Sequence, residues 1–186
     1  EIAQHHRRPR DADLALLARF PDDLEAATLH AEALLDLSPW NYWNPDKTPR
    51  PDTPGILATL ERVMAADSTH PGAHHFYIHA VEAIEPERAI AVAERLAGLM
   101  PGAGHLVRHI YIRVARSADA VAINEHAPHA DETWIQDQRP GPGFYLAAYY
   151  PHNYDFLAFA ASMLGRSAQT IDAADRNAAA VPRDLL

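Results

Sequence analysis

Unit boundaries recur along this chain at a fixed interval. Pro71, Pro101 and Asp131 each sit at the start of a new unit, and they stand 30 residues apart. Proline suits the first turn of a helix, where its missing N–H has no intrahelical partner anyway. Ala89 and Ala120 hold matching places inside these units, followed twelve and eleven residues later by the next boundary. A unit of this length accommodates two helices and a turn. Such a pair cannot bury its apolar face alone, so it stacks on its neighbours. No β-branched alternation competes with this pattern anywhere. The expected fold is all-α, with about eight or nine helices.

The 186 residues suffice for one domain with a real core, and 48% of them are hydrophobic. A net charge of -9 argues against a nucleic-acid partner, which would need clustered Lys and Arg. Arg7, Arg8 and Arg10 form only a small basic cluster in an end segment. With no Cys, disulfides and thiolate metal sites are excluded. No apolar run reaches membrane-spanning length. The expectation is a soluble chain, cytoplasmic unless a leader ahead of Glu1 has been removed.

Taken as a single domain over 1–186, the chain opens with a loose segment, 1–10. A short helix is expected over Asp11–Phe20. Asp22 or Asp23 can cap the next, Leu24 to Leu37. Residues 38–54 hold five prolines and cannot be helical. Trp40, Tyr42 and Trp43 are expected to pin that loop onto the helices. Helices then follow over Gly55–Asp67, from Pro71, over Glu87–Met100, and from Pro101 to about Arg116. Ser117 is expected to cap Ala118–Ala130, and Asp131–Gly143 to be a second long connection. Phe144–Leu164 reads as an aromatic helix bent at Pro151. Gly165 ends it, and Ser167–Ala180 is the last helix.

Twelve histidines are the compositional oddity. In HPGAHHFYIHAVE, at 100° per residue, His75, His79 and Glu82 fall within an arc of roughly 60°. Ala73, Tyr77, Ala80, Val81 and Ile84 fall on the other side. His105 and His109 repeat the i, i+4 spacing, which lets side chains converge. Neutral imidazole is the commonest metal ligand, and three or four N/O donors around one point suit Zn, Cu or Fe. Two His and a carboxylate would leave positions open for water, with Glu82 as ligand or as general base. Any one of these His taken alone reads as structural. His126 and His129 read as surface, His70 as a turn residue, His74 as packing or surface, and His30 as polar core edge. There is no HExxH, GxSxG, phosphate loop or dinucleotide fingerprint.

HPGAHHFYIHAVEA, MPGAGHL, HIYIRV, NEHAPHADETW and YYPHNYDFL, with PWNYW upstream, resemble a bacterial family of tetratricopeptide-repeat proteins over roughly residues 20–182. The resemblance implies a right-handed superhelix of stacked antiparallel helix pairs. It implies that the first helix of each pair lines the concave surface. His75, His79 and Glu82, then His105 and His109, then His152 and Asn153, would face one hollow. Two departures stand out. Between Val107 and Arg108 the chain is three residues shorter than the family pattern, and Asp155 stands where a His is expected.

The first reading is therefore a tetratricopeptide-like scaffold holding a divalent metal (Zn, Cu or Fe) at His75, His79, His105, His109 and His152, with Glu82 in a catalytic or ligating role. The alternative is a protein-interaction scaffold that grips a peptide or partner helix in its groove without metal. A third reading is a small-molecule binder. It would be walled by Trp40, Trp43, Tyr149 and Asn153, with the stripe of Tyr150, Tyr154, Phe156 and Phe159.

Overall fold

The computed structural model describes residues 19–100, 104–125, 127–141, 143 and 145–181. Among them are nine α-helices and no strand, only an isolated bridge between Trp43 and Pro49. They fall into two compact units, Glu1–Leu99 and Met100–Leu186. Most of the expected helix Asp11–Phe20, and all of the segment 1–10, lie outside the described residues.

The first unit holds α1 (Leu24–Asp36), α2 (Thr53–Ala66), α3 (Pro71–Val81) and α4 (Ile90–Leu99), the last entered through a 3-10 turn at Pro86–Ala89. Its helix starts follow the sequence. Asp23 caps α1, its carboxylate accepting from the Ala26 N–H at 3.0 Å. Pro71 occupies the first turn of α3, and the cap there is an imidazole: Nδ1 of His70 accepts from the Ala73 N–H at 3.2 Å. The core is one contiguous set: Ala27, Ala31 and Leu35 of α1, Ile56, Leu60 and Val63 of α2, Ala73, Ile78 and Val81 of α3, and Ala93 and Leu96 of α4. Each large aliphatic among them contributes about 1.5–3 kcal/mol by leaving water. Ala89 and Ala120, paired by the repeat, are both fully buried.

The Pro-rich loop is tied down as expected, with one of its aromatics supplying a hydrogen bond to α3. The Trp43 indole N–H donates to the Ala80 carbonyl of α3 at 2.8 Å. Trp40 is 69% exposed, with a left-handed φ of 60°.

The second unit holds α5 (Gly104–Arg113), α6 (Ser117–Asn124), α7 (Ala127–Gln138), a π-helical turn at Tyr145–Tyr149, α8 (Tyr150–Met163) and α9 (Ser167–Ala180). Here α5 packs on α6, α6 on α8, and α8 on α9. Ala115 (φ 58°) ends α5 and Gly165 (φ 70°) ends α8, both left-handed. At each turn the next N–H reaches back five residues, Arg116 to the Tyr111 carbonyl at 2.7 Å and Arg166 to the Ala161 carbonyl at 3.0 Å.

Three expectations need correction. Asp131–Gly143 is not a connection, because residues up to Gln138 form the end of α7. That helix has no apolar stripe to betray it. It is held by polar bonds, the Tyr145 hydroxyl donating to Asp131 and the Tyr154 hydroxyl to Glu132, both at 2.8 Å. Ser117 is not a cap but the first residue of α6, Arg116 preceding it. The distortion expected at Pro151 lies upstream, as the π-turn. Proline in the first turn of α8 lacks the N–H that would bond the carbonyl four residues back, and the preceding turn widens.

Candidate functional site

Glu82 follows the last residue of α3, and its backbone N–H still bonds the Ile78 carbonyl at 2.9 Å. That places its carboxylate beside His79, three residues back. The Nδ1 of His79 donates to Oε1 of Glu82 at 3.0 Å. A carboxylate only accepts, so Nδ1 carries the proton of this bond. Such a carboxylate–histidine arrangement orients an imidazole for a metal. Glu82 is only 2% exposed, whereas the helical wheel places it on the open face with the two imidazoles. His75 lies one turn back, its ring centroid 5.0 Å from that of His79. Trp40 covers the His79 ring edge-on at 5.2 Å.

In the second unit the equivalent imidazole, His109 on α5, meets His152 on α8. Their Nε2 atoms face each other at 3.2 Å. Without an ion, one ring donates to the other. Two metal–nitrogen bonds of ~2.1 Å meeting at ~100° place their nitrogens ~3.2 Å apart, so the spacing also fits joint coordination. Phe156 fixes both rings, stacked on His109 at 4.4 Å and edge-on to His152 at 4.3 Å. His105 lies a turn from His109, with centroids 6.4 Å apart. All four imidazoles named for these helices besides His152 are half-buried, as His152 is.

Beside this pair stands a residue that sequence reasoning missed. Arg108 is 1% exposed. One of its terminal nitrogens donates to Oδ1 of Asn153, whose amide in turn donates to Asp131. The Nε and the other terminal nitrogen have no hydrogen-bond partner among the described residues. Burial lowers its pKa to about 10, against the opposing pull of Asp131. Burial likewise raises the Asp131 carboxyl, partly offset by Tyr145, Arg108 and Asn153.

The other nominated residues divide. Asn153 is buried in this network, while Tyr149 is 54% exposed. Trp43 serves the loop. His74 packs inside, its Nδ1 bonded to the His70 carbonyl at 2.8 Å, and His30 is buried. His126 and the side chain of His129 lie outside the described residues. A cavity of about 200 Å³ in the second unit is lined by Glu125, Glu132, Tyr154, Leu157, Gln169, Asp172 and Arg176, of which only Tyr154, in the aromatic stripe, was named from sequence.

No protein-family model matches the chain, and no curated protein matches it significantly. Solved structures do. A crystal structure of MamA protein aligns with TM-score 0.67 at 13% identity, over 96% of this chain and 84% of that one. A second MamA structure gives 0.65 at 14%, over 92% and 85%. TTC0263, a thermophilic TPR protein of Thermus thermophilus, gives 0.62 at 15%, over 99% and 87%. The fold is tetratricopeptide-like. α3 with α4 and α5 with α6 are helix pairs as the sequence interval anticipates, whereas the third boundary, Asp131, lies inside α7. At these identities the likeness concerns the tetratricopeptide-like fold alone. No helix among the described residues is long and apolar enough to cross a membrane.

Proposed function

We propose that this chain is a tetratricopeptide-like scaffold that binds a divalent transition metal, Zn, Cu or Fe, through paired donors. His79 oriented by Glu82 serves in the first unit, and His109 with His152 in the second. His75 and His105, each a turn away, are further donors. The observation that carries the reading is the 3.2 Å approach of the His109 and His152 Nε2 atoms. Two imidazoles drawn from different helices and fixed by a shared phenyl ring are a costly way to make one hydrogen bond, and an economical way to hold an ion.

The test is metal analysis of untagged protein, followed by titration of the stripped protein with Zn²⁺ and Cu²⁺. Bound metal that falls in His152→Ala and His79→Ala supports the reading. Metal at background in the parent protein removes it.

Capture of a peptide or partner helix is the second reading. Tyr149, Phe159 and Met163, exposed along the π-turn and α8, favour it. Partner binding that survives metal stripping would separate it from the first.

A further inference from the structure

The guanidinium of Arg108 has more hydrogen-bonding capacity than its surroundings use. It is buried to 1% exposure and makes one bond, to Asn153. An ionised group removed from water costs several kcal/mol unless paired and fully hydrogen-bonded. The carboxylate placed to compensate it, Asp131, is diverted. Its Oδ1 accepts from Tyr145 and its Oδ2 from Asn153, so it acts on Arg108 through space and through the amide, not by a direct bond. Two guanidinium nitrogens, which carry three N–H groups, are therefore left without an acceptor among the described residues. On another side the guanidinium lies 5.5 Å from the centroid of Phe156, the ring that also carries His109 and His152. Those three rings are half-buried side chains.

We propose that Arg108 is the anchor of a site for a small oxyanion, a carboxylate or inorganic phosphate, which accepts from the two unpartnered nitrogens and lies beside His109 and His152. A planar guanidinium is the side chain best matched to such an anion. In a chain of net charge -9, a buried cation of this kind is the place an anion is drawn to. Asp131 sets the affinity, because its charge competes with the incoming one. The site does not depend on bound metal.

Dialysed, metal-free protein is titrated with inorganic phosphate and, separately, with acetate, against chloride of equal ionic strength. The Arg108 Nε–H resonance is followed by NMR. Phosphate or acetate is expected to shift it saturably where chloride does not. Affinity is expected to fall at least tenfold in Arg108→Met, to be partly kept in Arg108→Lys, and to rise in Asp131→Asn. A resonance that moves no more with phosphate or acetate than with chloride overturns the proposal in the unaltered protein, whether or not the variants fold. Equal anion binding by Arg108→Met overturns it as well. Failure here leaves the metal titration untouched, and the converse holds.

Discussion

Ala115 and Gly165 close equivalent helices with the same left-handed turn, inside Val-Ala-Arg-Ser-Ala and Leu-Gly-Arg-Ser-Ala. Only the glycine adopts that backbone without cost. Ala115→Gly should therefore stabilise the protein by about 0.5–1 kcal/mol, and Gly165→Ala should destabilise it by about 1 kcal/mol. A Cβ built at Gly165 meets nothing within 4 Å, so the second effect is one of backbone alone. Urea denaturation of both variants checks the pair; opposite signs are required.

The Trp43 indole is a second measurable tie. Trp43→Phe keeps an aromatic ring, a smaller one, and removes the donor to the Ala80 carbonyl. A loss of about 1 kcal/mol is expected, with the fold retained. Near-parental stability would mean that water replaces the bond.

Glu82 acts on His79 through a hydrogen bond, so Glu82→Gln should weaken Zn²⁺ binding at that imidazole roughly 10–100-fold. It should leave the fold intact, as seen by circular dichroism. Calorimetric titration of stripped protein reads the affinity, and an unchanged value would show that the carboxylate does not orient a ligand.

Tyr145 and Tyr154 should ionise late. Burial, together with hydrogen bonds to Asp131, pushes Tyr145 up to about 12. Burial and the bonds to Tyr150 and Glu132 push Tyr154 higher still. The folded state favours the neutral phenol, so their contribution to stability is complete below the ordinary tyrosine range near pH 10. For Tyr145 it is lost as pH rises from there to about 12. Absorbance at ~295 nm should show a late tyrosinate phase coupled to unfolding. A single transition near pH 10 in folded protein would contradict the network.

What was legible in the sequence was whatever a local signal marks. Asp23, Pro71 and Gly165 fixed the ends of α1, α3 and α8 because a cap, a ring constraint or a left-handed residue acts within a few residues. The i, i+4 rule found the imidazole face of α3 and α5. It could not show that His109 pairs with His152, since that meeting depends on how α5 lies against α8. The polar α7 escaped because its hold on α8 comes from tyrosine hydroxyls reaching carboxylates, which leaves no periodic trace. Arg108 escaped for a similar reason: on the wheel it borders the apolar arc of Leu106, Val107, Ile110 and Tyr111, where an arginine ordinarily reaches for solvent. The twin Arg-Ser-Ala turns were a signal available to sequence reading and not used by it.

The widened turn at Tyr145–Tyr149 has a consequence for how this protein tolerates change in length. It houses one residue more than a regular spiral would over the same rise. Excising Ala147 or Ala148 would restore ordinary winding and swing Tyr145 by about 100°. Its hydroxyl would leave Asp131, and the preceding helix would lose an attachment that few point substitutions could sever so cleanly. The fastening of α7 is thus sensitive less to which small residues fill that turn than to how many.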